Sequence, residues 1–126
     1  MTIYLDTHVA AFIHSGKPEL LSPTAVHLLE AATETLLSPM AVLELQYLYE
    51  VGRIRYSGSQ IAEFLQTQLA IAVDTQSLGD AVLHAVHVDW TRDPFDRVIT
   101  AQAGRAGAPL LTRDQNIHDH FPDAVW

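Results

Sequence analysis

Short apolar runs, separated by longer stretches with helical spacing, constrain this chain more than any other feature. Ile3-Tyr4-Leu5, Thr35-Leu36-Leu37, Ala70 to Val73 and Pro109-Leu110-Leu111-Thr112 show no polar alternation, and Ala124-Val125-Trp126 reads as a last edge strand. A strand that is apolar at successive positions shows apolar side chains to both faces of its sheet, so both faces must be covered. Such strands alternating with helices predict a mostly parallel sheet with helices on both faces. Ligands of sheets of this kind sit at the carboxyl ends of the strands. Asp6 directly follows the first run and Asp114 follows the Pro109–Thr112 run by two residues, so both fall on that edge.

The intervening stretches carry their own start and stop signals. Thr7 to His14 is expected to be a short helix, stopped by Ser15-Gly16-Lys17-Pro18. Ser22-Pro23 and Ser38-Pro39 each set a capping hydroxyl before a proline suited to the first helical turn. The first opens a helix with Val26, Leu28, Leu29 and Ala32 at helical spacing. The second opens a helix from Met40 to Tyr49, with Leu43, Tyr47 and Val51 on its apolar face and Glu44 close beside it. Gly52 closes that helix, and Arg53 to Gly58 is expected to be a mobile basic connection. Ser59 is expected to cap a helix from Ile61 to Leu69, and Leu78 to Val88 to be helical with Val82, Leu83 and Val86 inward. Asp93 caps and Pro94 begins a helix that buries Val98, Ile99 and Ala101 and ends at Gly104 or Gly107. Residues 115–120 form a last helical turn. No linker, repeat or low-complexity tract divides residues 1–126, which reads as one domain.

Composition removes several classes of chemistry. The chain has no cysteine, so thiolate zinc sites, disulfides and cysteine nucleophiles are all excluded, and a reducing cytoplasm is the expected setting. Asp6 interrupts the apolar run a signal peptide needs, and no stretch approaches the roughly 20 apolar residues of a membrane span, so no membrane role is expected. A net charge of -8 opposes gripping a polyanion by general electrostatics. Nucleic acid therefore requires cations supplied locally, by arginines or by a bound metal.

The segment from Arg92 to Arg97 brings in the chemistry. A helix start needs one capping acid, yet Asp93 and Asp96 stand three residues apart between two arginines. Each acid of the chain has an ordinary reading taken alone. Asp6 and Asp93 suit caps, Glu44 a solvated helical position, Asp96 a first turn favoured by the helix dipole, and Asp114 a turn before Gln115-Asn116. Taken together, five acids gathered around helix starts, two of them on one sheet edge, repel one another unless something positive lies between them. An oxygen-preferring divalent cation, Mg2+ or Mn2+, is the simplest such thing. The seven histidines show no paired metal-binding spacing, and only His8, two residues after Asp6, stands near the acids.

Four motifs stand out: Tyr4-Leu5-Asp6-Thr7-His8, Ser38-Pro39-Met40-Ala41-Val42-Leu43-Glu44-Leu45, Arg92-Asp93-Pro94-Phe95-Asp96-Arg97 with Ala101-Gln102-Ala103, and Leu110-Leu111-Thr112-Arg113-Asp114. They resemble those of PIN-domain ribonucleases, and more narrowly of the VapC toxins of type II toxin-antitoxin systems. They occur in the family's order and cover essentially the whole chain. The resemblance implies a PIN-like three-layer sandwich built on about five strands, mostly parallel. By the same resemblance Asp6, Glu44 and Asp96 correspond to three core acids that hold metal and catalyse, and Asp114 to a fourth. Asp93, Thr112 and Arg97 stand behind them. The implied activity is a Mg2+- or Mn2+-dependent endoribonuclease, inhibited by a cognate antitoxin with a basic segment and expected to form a homodimer, for which the helices at 22–34 and 59–70 are candidates. Phe12 stands where related chains often carry Trp. Arg97 or Arg113 is expected to stabilise the leaving oxygen, and Arg53-Ile54-Arg55 either guides RNA or is a solvated loop. Two other readings compete. One is a catalytically silent PIN-fold module that binds RNA or protein. The other is an aspartyl-phosphate phosphatase, which needs a second Asp two residues after Asp6, where this chain has His8.

Overall fold

The computed structural model describes all 126 residues. Along the chain run β1 (Thr2–Leu5), α1 (Thr7–His14), a 3-10 turn at Pro18–Leu20, α2 (Pro23–Ala31), β2 (Glu34–Leu37), α3 (Pro39–Glu50), α4 (Gly58–Leu69) and β3 (Ala72–Val73). Then come α5 (Leu78–Ala85), α6 (Pro94–Arg105), β4 (Leu110–Leu111), α7 (Gln115–His120) and β5 (Ala124–Val125). The strands form one sheet in the order β3-β2-β1-β4-β5, and every pairing is parallel. Ile3, Tyr4 and Leu5 of the central strand are 0%, 2% and 0% exposed. Successive strand residues point to opposite faces, so both faces are buried, as the unalternating run requires.

Strand order also fixes where a ligand belongs. The chain steps outward from β1 to β2 to β3, then crosses back to β4 and β5. Right-handed crossovers make such a reversal place the earlier helices on one face and the later ones on the other. The layers pack accordingly, α1 with α3 and α4, and α5 with α6, while α3 reaches around to touch α6. The reversal lies between β1 and β4, and the crevice above the carboxyl ends of those two strands is flanked by Asp6 and Asp114.

The capping residues act as the sequence indicates. The side chains of Asp6, Ser22, Ser38, Asp93 and Asp114 all accept hydrogen bonds from first-turn N–H groups, and Pro stands at the start of α2, α3 and α6. Gly107, at φ +63°, follows α6 and ends it.

Five expectations are corrected. The buried side of α3 is Ala41, Leu45 and Leu48, whereas Leu43, Tyr47 and Val51 are exposed. This helix is apolar nearly all round, so its spacing fits either stripe. On α5, which ends at Ala85, the buried residues are Ala81 and Ala85, packed on Val98 and Ala101 of α6, and Val82, Leu83 and Val86 face outward. Small side chains there let the two helices approach closely. The cap of α4 is Ser57, not Ser59: it forms a reciprocal capping box with Gln60. The connection before it is pinned rather than mobile. Arg53 N–H donates to the Leu48 carbonyl at 2.8 Å after Gly52 turns the chain at φ +80°. Gly58 packs so tightly on α3 that a Cβ there would lie 2.4 Å from the Val42 carbonyl oxygen. At β3 the strand begins only at Ala72, because Ala70 closes α4 in the left-handed conformation at φ 54°. No helix is long and apolar enough to cross a membrane.

Candidate active site

Asp6 is delivered by the end of β1 into a 5% exposed position. Its Oδ1 accepts from the Thr7 N–H at 2.8 Å and its Oδ2 from the Thr112 hydroxyl at 2.6 Å. Burial pushes its carboxyl above the usual range, and those two hydrogen bonds partly offset the rise. Thr112, fully buried just beyond β4, joins the two strand ends, because its hydroxyl also accepts from the Asp114 N–H at 3.0 Å. The Asp114 side chain is exposed and accepts from the Ile117 N–H at 3.1 Å, so it opens α7 as it flanks the crevice.

Glu44 enters from α3. Its Oε1 accepts a short hydrogen bond from the Thr7 hydroxyl, which ties α3 to the first turn of α1. Burial raises its carboxyl as well, opposed by the Thr7 bond and reinforced by the charges of Asp6 and Asp93. Thr7 is a residue that sequence reasoning passed over. A fully buried hydroxyl next to Asp6 was the available signal, but nothing in the sequence showed that it reaches α3.

Asp93 and Asp96 divide as two acids on one helical turn should. Asp93 is the exposed cap of α6, its Oδ1 accepting from the N–H groups of Phe95 at 2.8 Å and Asp96 at 3.2 Å. Asp96 is half-buried, and its carboxylate accepts no hydrogen bond, although its backbone N–H and carbonyl are both engaged. Its carboxyl is pushed up to about 8, first by burial and then by the charges of Asp93, Asp6, Asp114 and Glu44. All five acids therefore meet in one field.

No arginine or lysine pairs with these acids. Arg97, expected behind the acids, turns its Nε to the Thr91 carbonyl at 2.8 Å, and Arg92 donates to the Asp89 carbonyl at 2.9 Å. The single ion pair in the chain, Arg105 with Asp80 at 3.8 Å, is elsewhere. Arg113 lies over the rings of Phe12 and Trp126, at 5.6 and 5.7 Å. His8 favours the ionised forms of Asp6 and Glu44. The acids surround a common space without gripping it, since no three carboxylate or imidazole groups stand at metal-holding spacing. Each of Asp6, Glu44, Asp93 and Asp114 is turned toward a protein donor instead. The donor set itself is of hard oxygens alone, the kind Mg2+ and Mn2+ prefer, and Asp96 is the member still lacking a partner.

A second polar cluster lies along α6, unforeseen from the sequence. Tyr4 donates its hydroxyl to Asp74 at 2.6 Å, Ser77 donates to the same carboxylate at 2.6 Å, and the fully buried Gln102 donates to the Asp74 carbonyl at 2.8 Å. Burial alone would raise the Asp74 carboxyl, but these hydrogen bonds hold it below the usual range. The cluster fixes the helix that carries Asp96 against the end of β3.

Comparison with known proteins agrees with this architecture. The PIN domain profile matches residues 3–121. The chain is 34% identical over 131 residues to ribonuclease VapC22 of Mycobacterium tuberculosis, an alignment covering 99% of this chain and 98% of that one. Among solved structures, VapBC2 from Rickettsia felis bound to a promoter DNA fragment superposes with a TM-score of 0.65 at 14% identity, covering 99% of this chain and 96% of that one. A toxin-antitoxin complex from Klebsiella pneumoniae superposes with a TM-score of 0.62 at 19% identity, covering 98% and 96%. The parallel five-stranded sheet, the four motifs in order and the full-length match to a VapC ribonuclease together make this chain a PIN-domain protein of the VapC ribonuclease family.

Proposed function

We propose that this VapC-family ribonuclease acts as the toxin of a toxin-antitoxin pair, cutting RNA internally by metal-assisted hydrolysis. Asp6, Asp96 and Asp114 would hold the cation, Mg2+ or Mn2+, with Glu44 alongside. The observation that carries this reading is the Asp96 carboxylate, half-buried, without a hydrogen-bond donor and facing four other acids. A group so placed is stable as an anion only beside a positive charge, and no side chain supplies one. When bound, the divalent cation lowers the pKa of a water to make a nucleophile near neutral pH and offsets the charge of the phosphodiester.

The chain's own residues orient and exchange protons. Thr112 and the Thr7 N–H each take one oxygen of Asp6 and so fix the plane of its carboxylate. The Thr7 hydroxyl steadies Glu44, whose raised carboxyl suits it to accept the proton that the attacking water gives up. With Arg97 tethered to Thr91, Arg113 is the cation assigned to the phosphate, braced by Phe12 and Trp126. Asp93 shapes the site by starting α6, not by binding metal.

The test is cleavage of RNA in EDTA, Mg2+ and Mn2+, with Asp6→Asn and Asp96→Asn as variants. Activity in either metal, none in EDTA and none in the variants is expected; substantial cleavage in EDTA overturns the reading. The absence of a ready-made trio of ligands favours a second reading, a silent PIN-fold module. That alternative requires metal-independent RNA binding and no effect of Asp96→Asn.

The structures named above that share this fold are VapBC2 of Rickettsia felis and a toxin-antitoxin complex of Klebsiella pneumoniae, and we assign this chain an antitoxin partner whose basic segment covers the acidic crevice. For a homodimer, the uncovered apolar side chains lie on α3 at Leu43 and Tyr47, on α4 at Phe64 and Leu69, and on and just after α5 at Val82, Leu83 and Val86, rather than on α2. Sedimentation of Leu83→Glu against the unaltered protein tests this; an unchanged mass distribution removes α5 from the interface.

A further inference from the structure

We propose that the cleft between the C-terminal half of α1 and the α3–α4 connection is a phosphate-binding subsite for the RNA strand, placed beside the acidic crevice. The proposal rests on the reading of the chain as an RNA-cutting enzyme and deepens it. The chain has seven Lys and Arg residues against fifteen acids. Three of those seven, Lys17, Arg53 and Arg55, line one cleft of about 690 Å³ together with His14 and Tyr56, and none of its ten lining residues is acidic. So uneven a placement of scarce cations makes a local positive field on a protein of net charge -8.

These cations are uncommitted and yet held in place. None of the three forms an ion pair, since the single pair of the chain joins Arg105 to Asp80. The segment that carries the two arginines is anchored at one end by the Gly52 turn and the Arg53 to Leu48 hydrogen bond. At the other end the Ser57–Gln60 capping box and the tight packing of Gly58 on α3 anchor it. A rigid frame of this kind loses little freedom when an anion arrives. Aromatic surface lies beside the charge. The His14 ring meets the rings of Tyr56 and Phe64 edge to face, both at 5.0 Å, and Tyr56 is 49% exposed. Cations next to an exposed ring fit a single-stranded nucleic acid, whose phosphates and bases alternate along the strand. A merely acidic peptide would leave the ring unused.

The cleft is also at the right distance. Ala11, in its wall, is one helical turn beyond Thr7, which holds Glu44. From Thr7 to His14 the rise along α1 is about 10 Å. A strand with its scissile phosphate in the crevice thus reaches the cleft within a few nucleotides, on the α1 side.

The test is the double substitution Arg53→Ala with Arg55→Ala. On single-stranded RNA, KM is expected to rise about tenfold and the salt slope of kcat/KM to fall by about 1.4, with kcat within about twofold of the unaltered protein. The Arg53→Lys, Arg55→Lys pair should restore most of KM. Unchanged KM and salt slope overturn the proposal. So does intact RNA handling combined with lost affinity for the antitoxin, which would give the cleft to an acidic protein segment. A second measurement separates this from failure of the proposed activity. Labelled hexauridylate is titrated in Mg2+ into Asp96→Asn protein with and without the arginine substitutions. Salt-sensitive binding that the substitutions weaken upholds the subsite even if the chain cuts no RNA, and binding they leave unchanged overturns it.

Discussion

In metal-free protein, replacing Asp96 by Asn is expected to stabilise the fold, and to do so increasingly as pH rises. Asp96 has an ordinary carboxyl value of 3.8 and is pushed up to about 8 in the folded chain. An acid with a raised folded value binds more protons in the native state than in the unfolded one over that interval, so its ionisation subtracts stability as pH climbs from about 4 to about 8. At roughly 1.4 kcal/mol per pH decade, the whole gap sets a ceiling near 6 kcal/mol. Water reaches part of this side chain and screens its neighbours, so about 2 to 3 kcal/mol is the expected gain at pH 8. In a domain of this size that is on the order of 10 °C in Tm. Asn has the same shape and no charge. The assay is thermal unfolding of both proteins in EDTA at pH 4.5, 6 and 8, with a second series in Mg2+. The two curves should nearly coincide at pH 4.5 and separate by pH 8. In Mg2+ the advantage of Asp96→Asn should shrink, because the cation stabilises the acid form's charge. A variant that is less stable than the unaltered protein at pH 8 in EDTA refutes the idea that crowded, unpaired charge defines this site.

Three further outcomes are expected. Thr112→Val removes the hydroxyl shared by Asp6 and Asp114 and should cost about 1 to 3 kcal/mol in urea unfolding, while Thr112→Ser should keep most of both stability and cleavage. Asp93→Ala should cost about 1 kcal/mol of stability through the lost cap of α6, with a far smaller loss of cleavage than Asp96→Asn; equal losses would make Asp93 a direct participant. Gly58→Ala forces a Cβ against the Val42 carbonyl and should destabilise by about 1 to 3 kcal/mol, whereas a neutral or stabilising result would mean that α3 and α4 have room to part.

What could be read in advance follows from which signals are local. β1 and α1 are marked by an apolar run ended by a buried acid, and the Ser-Pro and Asp-Pro pairs fix the starts of α2, α3 and α6, because caps depend on groups within one turn. The gathering of Asp6, Glu44, Asp96 and Asp114 was legible because strand ends of a parallel sheet share an edge and the motifs set their order. Facing was not legible. Leu43 and Tyr47 are as apolar as Leu45 and Leu48, and the packing of α3 against α4, α1 and the sheet decides which stripe is covered. On α5, Ala81 and Ala85 won over larger residues because close helix approach rewards small side chains, which hydrophobicity alone ranks low. Ser57 was missed in favour of Ser59, although Gln60 stands three residues after Ser57 and completes its capping box. Arg97 misled for another reason: a long side chain beginning beside the acids turns to whichever acceptor is nearest, here the Thr91 carbonyl.

The two rims of the sheet carry a consequence for how copies of this chain meet. β3 and β5 are each two residues long, one ended by Asp74 and the other preceded by Pro122 and Asp123. An open sheet edge is a template on which another strand can grow, and its hazard scales with the length of unpaired backbone it presents. Here the template is too short to extend and has charge beside it. Crowded chains therefore find little template on which to lengthen one another's sheets.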